Sequence, residues 1–144
     1  DINNNLIAEL SYHKQRYIKL HNIPVFVQKA FILMEDKNFY NHSGIDITGI
    51  IRASFINLVN LGIVMGGSTI TQQLAKLFFI TRAGIKRKRT FSNKFKELLL
   101  AFSLERFFTK QKILELYLNN VYLASGCYGV EEASIFYFGK SVRN

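Results

Sequence analysis

The sequence predicts a mainly α-helical fold in a single domain. Two long stretches repeat apolar residues at helical spacing, no stretch alternates apolar and polar residues as a half-buried strand would, and proline occurs once in 144 residues. That proline, Pro24, suits the start of a helix running through Val25, Phe31 and Ile32 to Met34 and Glu35. Phe31 and Ile32 precede Glu35 by four and three residues and so share its face. A glutamate on an apolar stripe is expected to be desolvated, which favours proton uptake and makes Glu35 a candidate general base. The next apolar segment, Ile50 to Met65, is interrupted by Arg52, Asn57 and Asn60. It falls short of the roughly 18 uninterrupted apolar residues of a membrane span, yet is apolar enough to lie in a membrane interface. On composition alone an ordinary buried helix is favoured there.

A further helix is expected after Gly66 and Gly67, where Ser68 or Thr69 can cap and Thr69-Ile70-Thr71-Gln72 has capping-box spacing. A basic, glycine-containing run from Thr81 to Arg89 reads as a solvated connection. Beyond it, Phe91, Phe95, Leu98 and Phe102 form one apolar stripe, and Ile113, Leu114, Tyr117, Leu118 and Val121 form a second, with Lys110 and Lys112 at its start.

With 49% hydrophobic residues, including 13 Phe and 7 Tyr, the chain can build one sizeable core, and no linker, low-complexity tract or internal repeat divides it. The balance of 19 Lys and Arg against 10 Asp and Glu gives a net charge of +9 and calls for a polyanionic partner: nucleic acid, an anionic membrane or a phosphorylated substrate. Charge alone does not choose among them. The lone Cys127 excludes an internal disulfide and a cysteine-built metal site, and reads as a packing residue.

Five segments then occur in order: Glu35-Asp36-x-x-Phe39-x-x-His42-x-Gly44; Gly67-Ser68-Thr69-Ile70-Thr71-Gln72-Gln73-Leu74-x-Lys76; Lys94-x-x-Glu97; Lys110-x-x-Ile113-Leu114-Glu115-x-Tyr117-Leu118-Asn119; and Gly129-Val130-Glu131-x-Ala133 with Tyr137-Phe138-Gly139-Lys140. Together they resemble the five motifs of the peptidoglycan glycosyltransferases of family 51, the polymerase domain of class A penicillin-binding proteins and of monofunctional transglycosylases. The resemblance covers roughly residues 20 to 143, and five ordered motifs are far more specific than any one. Two departures stand out. Asn93 occupies the family's arginine position in the third motif, and the family's domain continues past the Phe-Gly-Lys segment while these 144 residues end at Asn144. The resemblance therefore implies a domain trimmed at its C-terminus, without the membrane anchor or transpeptidase domain.

What the resemblance implies is a lysozyme-like helical domain with a larger head lobe and a small membrane-proximal jaw lobe, at the outer face of the bacterial cell membrane. Its substrates would be lipid II and the growing lipid-linked glycan strand, and an inhibitor of the moenomycin type is expected to bind. Nucleic acid is not an expected partner. The reaction is attack by the acceptor's 4-hydroxyl on the anomeric carbon of the strand, with inversion and loss of polyprenyl pyrophosphate. A weak alcohol nucleophile needs a base, and the leaving group needs cations rather than a strong acid. Glu35 answers the first need. Ser68, Thr69, Gln72, Gln73, Lys76, Arg89, Lys94 and Lys96 form the implied substrate and pyrophosphate set, with Glu97, one turn from Lys94, as a second carboxylate kept ionised on the phosphate side.

Asp36, Phe39, His42, Gly44, Glu115 and Asn119 are implied site support. Asp36 and His42 are read as holding the loop beside Glu35, and Asp36 is also a candidate ligand for a divalent cation, Mg or Mn. Capping is an equally good account of Ser68, Thr69 and Gln72, and a structural role is as good for Glu115 and Asn119. The Tyr137 to Lys140 segment reads as core packing. Two rivals remain: a lysozyme-like muramidase, which has no use for the lysine set, and a non-catalytic basic binding module, which leaves Glu35 unexplained.

Overall fold

The computed structural model describes residues 16–62, 64, 66–83 and 91–144. Among these lie the helices α1 (Val25–Glu35), α2 (Ile47–Val59), α3 (Ile70–Ala83), α4 (Phe91–Phe107), α5 (Lys110–Asn120) and α6 (Val130–Phe138), with short 3-10 turns at Leu20–Asn22 and Phe39–Asn41. Among the described residues, strand-like pairing is limited to one isolated bridge between Tyr122 and Tyr128, as a mainly helical fold requires.

Helix α3 is the hub and packs along both α4 and α5. Ile70, Leu74 and Ala75 of α3 meet Ala101 and Leu104 of α4 and Ile113, Leu114, Tyr117 and Leu118 of α5, with Ile18, Ile23, Phe39 and Val130 closing the cluster. Burying each large apolar side chain contributes about 1.5–3 kcal/mol, so this cluster rather than helix propensity holds the three helices together. The α5 stripe is thus the core face the sequence predicts. Thr109 caps that helix, its hydroxyl accepting from the Lys112 N–H at 3.3 Å.

The α4 stripe behaves differently. Phe95 and Phe102 are exposed and Leu98 is half-buried, whereas Ala101 and Leu104 are buried. Periodicity identified a helix correctly but chose the wrong face, because the small Ala101 is what allows α4 to approach α3. The C-terminal aromatics also differ from expectation. Helix α6 buries Val130 and Ala133, while Phe138 is 74% exposed and the Tyr137 hydroxyl donates near the surface to the Leu123 carbonyl at 3.3 Å. Cys127 is buried, in line with a packing role.

Helices α1 and α2 lie outside the core. The Pro24 carbonyl opens α1, accepting from the Val27 and Gln28 N–H groups at 3.0 and 3.2 Å. Phe31 and Ile32 pack partly against the core, but Val25, Phe26, Leu33 and Met34 are exposed. In α2 Ala53 alone is buried, while Ile47, Ile51, Phe55, Leu58 and Val59 face out. The ordinary buried helix favoured by composition is therefore not what forms. Local polar bonds hold α2 instead. Asp46 caps its start, accepting from the Gly49 N–H at 2.9 Å and the Thr48 hydroxyl at 2.6 Å. Asn60 donates to the Ile56 carbonyl at 2.7 Å, and Asn57 accepts from the Val64 N–H at 2.8 Å, so the asparagines that interrupt the apolar run close its end. Ile63 and Met65 lie outside the described residues. Among the described residues no helix is long and apolar enough to cross a membrane.

Candidate active site

The first two motifs meet where α1 ends and α3 begins. Asp36, 6% exposed, follows the last residue of α1 and accepts from the N–H of Ile70, the first residue of α3, at 3.0 Å. Its oxygens also lie 2.9 and 3.0 Å from His42 Nε2. The Gly44 N–H donates to His42 Nδ1 at 3.1 Å, so the ring hydrogen must sit on Nε2 and point at Asp36. Gly44 has a left-handed φ of +95°, and a Cβ there would lie 3.3 Å from Glu105 Cγ and 3.4 Å from the Ala101 carbonyl oxygen, so the turn favours glycine. Its carbonyl accepts from the Thr69 hydroxyl at 2.7 Å and from Gln72 Nε2 at 3.3 Å. Thr69 in turn caps α3, accepting from the Gln72 N–H at 3.2 Å. The Gln72 side chain is committed to Gly44 and to Lys94, so only half of the capping box forms. Thr69, Asp36, His42 and Gly44 make one interior lock.

Two further centres rise from the same end of α3. Gln73 Nε2 donates to Glu35 Oε2 at 2.8 Å, and the hydroxyl of Tyr117 donates to Gln73 Oε1 at 3.1 Å. Glu35 itself is exposed. The apolar stripe therefore does not desolvate it, because α1 ends at Glu35 and turns its side chain toward α3 instead of the core. Its candidacy rests on geometry rather than burial. The second centre is Lys94, whose ammonium lies 3.3 Å from Ser68 Oγ, 3.4 Å from Gln72 Oε1 and 3.3 Å from Glu97 Oε2. Adjacent glutamines thus reach a carboxylate on one side and an ammonium on the other.

The remaining members of the implied substrate set are not drawn into this cluster. Lys76 and Lys96 are exposed and hydrogen-bond to none of these groups among the described residues, and Arg89 lies outside the described residues. Asn93 is half-buried on α4, one turn before Glu97.

The fourth motif takes the structural branch. Asn119, 1% exposed, accepts from the Ile18 N–H at 2.7 Å and donates to the Ile18 carbonyl at 2.8 Å, clamping the segment before α1 as a strand partner would. Glu115 accepts from the Leu20 N–H at 2.8 Å, from Lys112 at 2.5 Å and from the Tyr17 hydroxyl. Burial alone would raise its carboxyl, and the bonds from Lys112, Tyr17 and Leu20 overcome that and bring it to about 2. Phe39 is fully buried, with Lys110 Nζ 4.6 Å above its ring.

For a divalent cation, Asp36 is a poor match: its neighbours are N–H donors, which point positive charge at the carboxylate and already use its oxygens. Two functional candidates escaped the sequence reading. Tyr117 sat within an apolar stripe, although a buried phenol needs a polar partner and so signals one. Glu105 accepts from the Thr71 hydroxyl at 2.6 Å and from Lys110 at 2.7 Å, tying α3, α4 and α5 at one carboxylate. No spacing rule flags it.

Comparison with known proteins agrees with the motif reading. A transglycosylase family model matches residues 3–144. The chain is 49% identical over 142 residues to penicillin-binding protein 1A of Aquifex aeolicus (strain VF5), a match covering 99% of this chain and 19% of that protein. It is 43% identical over 144 residues to penicillin-binding protein 1F of Bacillus subtilis (strain 168), covering all of this chain and 20% of the relative. Penicillin-binding protein 1A of Rickettsia bellii (strain RML369-C) is likewise 43% identical over 140 residues. The chain spans about a fifth of the length of these relatives.

Proposed function

The chain belongs to the transglycosylase family, and on that premise we propose that it polymerises lipid II into peptidoglycan strands at the outer face of the bacterial cell membrane. Glu35 takes the proton of the acceptor's 4-hydroxyl. The oxygen forms a bond to the anomeric carbon of the lipid-linked strand, and the bond from that carbon to the pyrophosphate breaks with its electron pair on the leaving group. Attack from the opposite face inverts the α-linked donor to a β-linked product. Lys94 meets the negative charge that develops on the pyrophosphate, and Glu97 holds that ammonium in place. Lys76, Lys96 and Arg89 extend the cationic path for the departing lipid pyrophosphate, and a phosphoglycolipid of the moenomycin type would compete there. The domain takes the lysozyme-like arrangement of a head lobe and a jaw lobe, with the outward apolar row of α2 in the membrane-proximal jaw.

The observation that carries this reading is the pair Gln72 and Gln73, which sets an exposed carboxylate and an ammonium at one end of α3. A base and a cation site so arranged suit glycosyl transfer from a pyrophosphate, whereas a hydrolase has no use for the cation. Glu35→Gln in a lipid II polymerisation assay is expected to lower turnover by roughly 10²-fold or more while the fold is kept. Near-normal turnover in the folded variant would overturn the assignment, and cleavage of finished glycan without strand growth would favour the hydrolase.

A further inference from the structure

The line from Tyr117 through Gln73 to Glu35 has only one consistent direction. An ionised carboxylate can only accept, so the amide nitrogen of Gln73 must face Glu35 and its oxygen must face Tyr117. The phenol must then donate. Tyr117 is 1% exposed, with its ring edge-on to Phe31 at 6.3 Å between centroids, so the phenol is held rather than free to rotate away. We propose that Tyr117 and Gln73 are positioning residues for the base: together they occupy Glu35 Oε2 and leave Oε1 to receive the acceptor's proton.

Three observations support this. Among the described residues Oε1 of Glu35 makes no hydrogen bond, while Oε2 is taken by Gln73. Glu35 is the last residue of α1, where the backbone alone would let its side chain swing into solvent, so something off the helix must hold it. Burial, and after it the negative charge of Glu35, raises the Tyr117 phenol, which keeps its hydrogen available for donation across the working range of pH. Gln73 therefore orients the base, where the motif alone suggested a substrate contact. A carboxylate free to rotate would spend part of its time facing away from the acceptor, so losing the line should slow the chemical step without weakening substrate binding.

This inference rests on Glu35 as the base, and the test separates the two. Tyr117→Phe keeps the ring against Phe31 and removes one oxygen, and Gln73→Met keeps the volume and removes the amide. In the lipid II polymerisation assay each single variant is expected to lower kcat about tenfold with KM unchanged, as the loss of one orienting hydrogen bond would. The double variant should be no slower than Gln73→Met alone, because Tyr117 acts only through Gln73. Glutamine side-chain amide resonances should also shift in both Tyr117→Phe and Glu35→Gln, a readout independent of turnover. Full activity in Tyr117→Phe and Gln73→Met beside an inactive Glu35→Gln would overturn this proposal and leave the base reading standing. Multiplying effects in the double variant, or a raised KM at unchanged kcat, would also overturn it. Full activity in Glu35→Gln would remove both.

Discussion

Glu35 and Asp36 are neighbours in sequence and opposites in structure. Asp36 is buried with its oxygens taken by His42 and the first amide of α3, whereas Glu35 is exposed and, among the described residues, gives one oxygen to the protein. The contrast extends to the regions around them. The interior lock of Asp36, His42, Gly44 and Thr69, and the clamp of Asn119 and Glu115, spend their polar atoms on the fold. The outer centres of Glu35 and Lys94, and the row along α2, keep atoms and surface available. A motif of consecutive polar residues is thus no single site. Its members divide by whether the chain itself satisfies them, and this division separates residues whose loss should damage stability from those whose loss should damage chemistry.

The sharpest way to break that comparison is at the lock. Asp36→Ala leaves the His42 and Ile70 N–H groups without their acceptor in a buried place, and is expected to cost about 3 kcal/mol of stability by chemical denaturation. The comparable substitution Glu35→Ala should cost less than 1 kcal/mol. Equal losses at the two positions would erase the distinction. Asn119→Ala, which orphans both backbone groups of Ile18, belongs with Asp36 and should cost about 2 kcal/mol.

Acid titration gives a finer cut. The folded Glu115 carboxyl, at about 2, lies below the ordinary glutamate value of 4.5, so its bonds to Lys112, Tyr17 and Leu20 stabilise the fold above pH 4.5 and are lost as the pH falls toward 2. Glu115→Gln should therefore be less stable than the parent near neutrality, and the gap should close between about pH 4.5 and 2. A gap that stayed constant over that window would mean the carboxyl's charge plays no part in the clamp.

The smallest effect on stability is expected along α2. Replacing Ile51, Phe55 and Val59, all exposed on one face, with Ser should shift the melting midpoint little. The same change should lower binding to anionic vesicles, with salt removing the electrostatic share and the apolar share lost to the substitutions. Unfolding of the triple variant would place α2 among the structural elements after all.

The sequence made α1, α3 and α5 legible because each carries a local start signal: Pro24, Thr69 and the lysines that open the last stripe. Composition misjudges α2, and periodicity misjudges α4, for a shared reason. Both state that a helix has apolar residues but not which neighbour arrives to cover them, so composition alone favours a buried α2, against the interfacial reading that the exposed row agrees with, and the α4 stripe points its phenylalanines inward. Of the site, the residues fixed by nearby chain were readable, as with Asp36, His42 and Gly44 in one loop. Those joined across long separations were not. Nothing in the spacing of Glu35, Gln73 and Tyr117 shows that they touch, and Glu105 gathers Thr71 and Lys110 across three helices without any motif of its own.

The clamp on Ile18 also has a consequence in time. Asn119 stands 101 residues after the backbone groups it satisfies, so during synthesis the segment ahead of α1 must wait for its partner. At roughly 5–20 residues per second that wait is about 5–20 s. Through it the outward apolar faces of α1 and α2 already exist on the nascent chain, while the end of α5 that fastens the segment ahead of α1 does not. The backbone around Ile18 is therefore secured only after α5, made about a hundred residues later, has emerged.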